Sequence, residues 1–240
     1  MNNLKIKAYM EEAVYGGLPQ AYGRVMGVLG NIDTAKGSSA LLYKLLAVRK
    51  YLRNGDASVV ANWTWSESEF ATRMNQEPTK TLYAEAARTQ TAFASANSGY
   101  SLAISPLRSL AKQVTLWCEN TGIFTAGQAL LTAADEELKK AQYPETCTAA
   151  AMTSFVNFLK TFVPNPEPSN AAPGTSDHGR GVAVDFVVKQ GTAEIAGTTT
   201  STIEQKWTQP GWTTKLKAAT AGTKLKGPLQ SPYEPWHWSL

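Results

Sequence analysis

Residues 182–188 read Val-Ala-Val-Asp-Phe-Val-Val, a short run rich in β-branched residues that suits a buried strand, with one carboxylate at its centre. Alternate residues of a strand share a face, so Asp185 lies with Gly181, Ala183 and Val187, while Val182, Val184, Phe186 and Val188 turn the other way. The second face is large, apolar and fit for a core. The first is small around a single acid and leaves room for something to approach. A carboxylate buried in such a run is costly unless it is paired or bound to a metal. Any fold open to this chain must therefore seat the strand and give Asp185 a partner.

Histidine is the obvious source of one. The 240 residues contain only two, His178 and His237. His178 stands in Ser-Asp-His-Gly-Arg-Gly, a glycine-flanked turn seven residues ahead of Asp185 that could bring its ring back over the acidic face. His237 stands in Glu-Pro-Trp-His-Trp-Ser-Leu at the end of the chain. Pro235 pushes Glu234 towards extended geometry, and in a strand beyond it Trp236 and Trp238 share one face while His237 takes the opposite one. His178, Asp185 and His237 form a typical catalytic zinc set, three N/O ligands with a fourth position left for water. Glu234, a nearby carboxylate that is not a ligand, is the candidate for moving a proton. Blander alternatives exist for each piece: a surface histidine in a turn, a hydrogen-bonded buried aspartate, an aromatic core end. The coincidence of both histidines with well-placed acids favours the metal.

The rest of the composition bounds the class. Hydrophobic residues make up 43% and charged residues 18%, ordinary for a soluble globular chain. The net charge of +4 is mild and the lysines are scattered, so no nucleic-acid partner is expected. Two cysteines, Cys118 and Cys147, without a CxxC, leave no cysteine zinc knuckle, and whether they bond stays open. The N-terminus has no apolar signal core, and no apolar run is long enough for a transmembrane segment.

Along the chain, 39–53 carries leucines at helical spacing and stops at Asn-Gly. Ser66 and Glu69 form a capping box opening a helix with Phe70 and Met74 on its apolar face, which Pro78 breaks. Residues 79–99 favour helix, 100–105 alternate like a strand, and a further helix is expected from about Arg108 to Cys118. Two or more helices fill 126–162. The proline-rich 163–174 is a loop or lid, 191–202 a polar connection or hairpin, and 203–219 contains a short helix. The expected fold is α+β: a small antiparallel sheet carrying the zinc site, flanked by helices, with an N-terminal helical extension.

Two stretches resemble a known family. Ser176-Asp-His178-Gly-Arg-Gly181-Val-Ala183-Val-Asp185 matches S-x-H-x-x-G-x-A-x-D without a gap, and Glu234-Pro-Trp-His237 matches E-P-W-H. Together they are similar to the LAS or M15 zinc peptidases of peptidoglycan, the VanY-like D-alanyl-D-alanine carboxypeptidases and related phage endolysin peptidases. The resemblance implies Zn2+ on His178, Asp185 and His237, with Glu234 as catalytic base and acid. It also implies a strand–S-x-x-R-S–helix–Q element, which Ala103–Gln113 resembles, with Arg108 holding a substrate carboxylate or carbonyl and Ser176 assisting by hydrogen bonding. Pro106 and Leu107 stand where the family often has Gly-Tyr.

On this reading residues 78–240 are the peptidase domain, with a helical insertion around 114–162, and 1–77 are an extension of unknown role. The implied activity is hydrolysis of a peptidoglycan stem-peptide bond, as a D,D-carboxypeptidase or endopeptidase. The alternative is a non-catalytic zinc-containing binding module on the same scaffold. The implied place of action is the cell wall, reached by phage release, on a virion, or as a trimmed secreted enzyme; oligomeric state is open.

Overall fold

The computed structural model describes residues 2–55, 66–105, 107–165, 167–168 and 170–240. In chain order the helices are α1 (Asn3–Gly17), α2 (Tyr22–Lys36), α3 (Ala40–Asn54), α4 (Phe70–Met74), α5 (Thr79–Ala96), α6 (Leu110–Glu119), α7 (Thr121–Glu137), α8 (Ala149–Thr161) and α9 (Trp212–Thr220). The strands are β1 (Tyr100–Ile104), β2 (Ala183–Gln190), β3 (Ala193–Ala196), β4 (Leu229–Gln230), β5 (Tyr233–Glu234) and β6 (His237–Ser239). The architecture is the expected mixture of helices with a small antiparallel sheet. The chain folds as two compact units, one from Met1–Trp65 and Ser109–Ser176, the other from Ser66–Arg108 and Asp177–Leu240.

The first unit is helix packed on helix. Its centre is α3, where eleven of fifteen residues are buried, so it presents no solvent face of the kind an outer helix has. Helices α1, α2, α7 and α8 all pack against it. Side-chain caps start several of these helices: Asn2 on α1, Ser109 on α6, Asn120 on α7 and Thr148 on α8, each accepting a backbone N–H of the first turn. Gly127 of α7 is there for close approach, because a Cβ would stand 2.8 Å from the Leu42 carbonyl oxygen. The described residues of 163–174 form neither helix nor strand.

The second unit holds the sheet. β2 is its spine, antiparallel to β1 from Tyr100↔Gln190 to Ile104↔Phe186. β3 pairs with its C-terminal half and β6 with its N-terminal half. The two-faced reading of β2 holds: Val184, Phe186 and Val188 are buried in a core with Leu82, Ala86 and Phe93 of α5, Leu216 of α9, and Trp236 and Trp238. The Ser66–Glu69 capping box is formed, with the Ser66 N–H donating to Glu69 Oε2 at 2.8 Å.

Two expectations need correction. The helix after Pro106 starts at Leu110, because the Ser109 hydroxyl caps it and leaves Arg108 in the extended connection. Pro106 itself lies outside the described residues. α4 lasts only five residues, too short to build an apolar face, and Met74 is exposed. The short helix expected within 203–219 is α9, and the segment before it carries a π-helical turn, Glu204–Thr208, which buries Trp207 with its indole N–H on the Gly197 carbonyl at 2.7 Å.

Candidate metal centre

The β2–β6 ladder builds two-thirds of the site. Its register sets Asp185 directly opposite His237. Residues paired across an antiparallel ladder share a face, so the carboxylate and the imidazole meet on the face away from the core. The flanking indoles enforce that register, since a slip of one residue would drive His237 into the core and expose Trp238. His178 reaches the same point from a turn rather than a strand. The Val182 N–H returns to the Asp177 carbonyl and the Gly181 N–H to the His178 carbonyl. Gly181 holds φ +70°, a left-handed conformation that suits glycine and reverses the chain over the sheet.

The result is a triangle. His178 Nε2, His237 Nδ1 and Asp185 Oδ1 stand 3.1 Å apart along all three sides. All three side chains are buried, at 6%, 9% and 4% exposure. Asp185 can accept an N–H from either imidazole, but with both protons in place they also face each other across 3.1 Å, and with neither three lone pairs converge. A divalent cation accepts all three lone pairs at once. Tetrahedral zinc with N and O ligands at about 2.0–2.1 Å spaces its donors about 3.3 Å apart, close to what the side chains already provide. The donor set and spacing fit zinc, and these three residues could hold it.

Arg108 comes to the other oxygen of the same carboxylate, Nη2 donating to Asp185 Oδ2 at 3.1 Å. The second oxygen of a mid-strand aspartate needs a partner as much as the first, so a cation on this face could have been anticipated from the sequence. Ser105 supports the backbone there, its N–H donating to the Asp185 carbonyl and its hydroxyl accepting from the Asp185 N–H. Glu234, in the β4–β5 hairpin, places Oε2 4.0 Å from His237 Nδ1. Ser176 is half-buried, two residues ahead of His178. Asp177 and Arg180 bridge the two ends of the turn as an ion pair, which the sequence reading did not foresee.

Electrostatics sort the acids into different roles. Burial works to raise the Asp185 pKa, but hydrogen bonds from His178 and His237 outweigh it and hold the group well below the usual carboxylate range. Burial raises the Glu234 pKa, and the Asp185 charge raises it further. Burial lowers that of His178. For His237 burial also acts downward, but the hydrogen bond and charge of Asp185 prevail and raise it. One carboxylate thus stays ionised, as it would have to be to hold a metal, while the other moves towards the range where it can take and release a proton.

A family model described as VanY, D-alanyl-D-alanine carboxypeptidase, matches residues 76–240. No curated protein and no solved structure matches the chain significantly.

Proposed function

We infer the activity from membership: the chain belongs to the VanY family of D-alanyl-D-alanine carboxypeptidases, which makes it a carboxypeptidase-type peptidase of peptidoglycan. Within that class, we propose a zinc enzyme with His178, Asp185 and His237 as ligands. The observation that carries this reading is the triangle of donor atoms, brought together from a turn and two strands with sides of 3.1 Å.

Bound there, zinc supplies Lewis acidity and lowers the pKa of a coordinated water to about 7. The remaining work belongs to side chains. Glu234 takes a proton from the attacking water as its oxygen bonds to the scissile carbonyl carbon. As the C–N bond breaks, Glu234 returns that proton to the leaving amine. Its raised pKa suits both halves of that exchange, since a group poised nearer neutrality gives up a proton as readily as it takes one. Arg108 holds Asp185 through one amino group, and its guanidinium, one-third exposed, is the group proposed to meet a substrate carboxylate or developing oxyanion. Ser176 adds a hydroxyl beside the ligand turn. Catalysis is assigned to the sheet unit, which carries all of these groups except Ser176.

Digestion of purified peptidoglycan, followed by mass spectrometry of the released fragments, tests the proposal. The expected result is loss of a terminal D-alanine or cleavage within the stem, abolished by a chelator and restored by zinc. Intact stems after incubation with zinc-loaded protein would refute it.

A further inference from the structure

Of the three proposed ligands, Asp185 and His237 face each other across the β2–β6 ladder, whereas His178 sits in the turn 177–181, before β2 begins at Ala183. The sheet unit takes up the chain again at Asp177, one residue ahead of that histidine. The short loop 177–182 therefore has to set the imidazole over Asp185.

The two ends of this loop are fastened differently. At the exit the Val182 carbonyl accepts the Leu240 N–H at 3.0 Å, and β2 follows at once. At the entrance Asp177 ties back into the loop twice. Its carbonyl accepts the Val182 N–H at 3.0 Å, and its carboxylate pairs through Oδ1 with Nη2 of the Arg180 guanidinium. Between these, the His178 carbonyl accepts the Gly181 N–H at 3.2 Å. The main-chain bonds set where the backbone runs. The ion pair joins the residue before His178 to the second residue after it, so it spans the ligand and limits how far the loop can rock.

Arginine is an unfavourable residue with which to close such a turn. The Arg180 Nε is buried and meets no hydrogen-bond acceptor among the described residues, a loss that a short turn-forming side chain avoids. The other end of the side chain accounts for its presence, because there the guanidinium reaches Asp177. Both residues occupy unspecified positions of the S-x-H-x-x-G pattern, so the signature does not call for the pair.

We propose that Asp177 and Arg180 are positioning residues for the metal centre: their ion pair spans His178 and holds its imidazole at the corner of the triangle it shares with Asp185 and His237. The inference rests on the zinc reading given above. Groups that orient a metal ligand without touching the metal matter by about 10–100-fold in affinity. The Arg180 and Asp177 side chains are 32% and 38% exposed, so water screens the pair and the lower end of that range applies.

The test compares parent, Arg180→Gln, Asp177→Asn, the double variant and Arg180→Lys as full-length proteins, with His178→Ala as the control that removes a ligand. Zinc affinity is read by chelator competition and ligand geometry by the visible spectrum of the Co2+-substituted protein. Amide exchange without metal reads the loop in 177–182 and the sheet in 183–190. Each single variant is expected to weaken zinc about tenfold, shift the Co2+ bands and speed exchange in 177–182, with 183–190 protected as in the parent. The double variant should bind no more weakly than either single one, since the pair is lost only once, and Arg180→Lys should restore most of the affinity. Should Arg180→Gln unsettle the sheet, Asp177→Asn, which removes the charge and keeps the shape, carries the test. Single variants that hold zinc as tightly as the parent with unchanged Co2+ bands overturn the inference alone, as do losses that add in the double variant. A parent that takes up no zinc overturns the reading of the site, and the inference with it.

Discussion

Deleting Trp236–Leu240 should do more than remove His237, a proposed ligand; it should unfold the sheet. The two indoles are 2% and 4% exposed in the core of that unit. A buried tryptophan removes about 150–250 Å² from water, so the pair accounts for about 300–500 Å². At about 25 cal/mol per Å² that is ~8–12 kcal/mol. A compact unfolded reference trims it to ~5–10 kcal/mol. The deletion also removes the Trp236 carbonyl that receives the Phe186 N–H, the two bonds between Ser239 and Lys226, and the Leu240 N–H bond to Val182. Whole domains are stable by only about 5–15 kcal/mol, so the loss consumes most or all of it. Amide exchange resolved by peptide is the assay, because a single melting curve is ambiguous for a chain of two units. Peptides covering 183–190 should lose protection, while those covering α1 and α3 keep theirs. His237→Ala is the companion: it spares both indoles, so protection in β2 should persist while zinc binding falls. Protection of β2 within tenfold of the parent after the deletion would refute the argument that the C-terminal strand anchors the sheet.

Other consequences are simpler to test. Glu234→Gln should retain stoichiometric zinc by metal analysis and lose about 10²–10⁴-fold in turnover, the range for a positioned proton carrier. Gly127→Ala should destabilise the helical unit by about 1–3 kcal/mol in urea unfolding, because the new methyl meets both the carbonyl oxygen and Cδ1 of Leu42 at under 3 Å. Glu167 should contribute acid sensitivity. The hydrogen bond from Arg49 holds its pKa below the usual 4.5, so its stabilisation is present above that value and drains away as pH falls through the folded pKa. Urea midpoints measured on the way down from neutral pH should fall less steeply for Glu167→Gln than for the parent.

What could be read from the sequence follows the range of the interactions involved. The strand around Asp185 was legible because its period of two sorts core from site within seven residues. The presentation of His237 was legible because Pro235 and two tryptophans define a face locally. The capping box at Ser66 spans only three residues and behaves as its pattern says. α3 was legible as a helix but not in what its cations hold: Arg49 and Lys50 look like ordinary surface cations, yet they meet the carbonyls of Phe162 and Asn170, 113 and 120 residues away. The β4–β5 hairpin escaped notice because its two-residue strands adjoin Pro228 and Pro232, which argue against strand. The grouping of 109–176 with the first helices, through a shared core, leaves no local mark at all.

That interleaving bears on any attempt to isolate the enzyme. A fragment cut at the boundary of the family match would keep α6, α7 and α8 but discard α1, α2 and α3, stranding Trp117, Ile123, Leu130, Phe155 and Leu159 without the core partners that those helices supply. Such a truncate would carry every candidate catalytic group and still present a broad greasy scar to solvent, the sort of surface that drives precipitation. The helices of 109–176 share their core with α1, α2 and α3, so a shortened version must keep the two sets together.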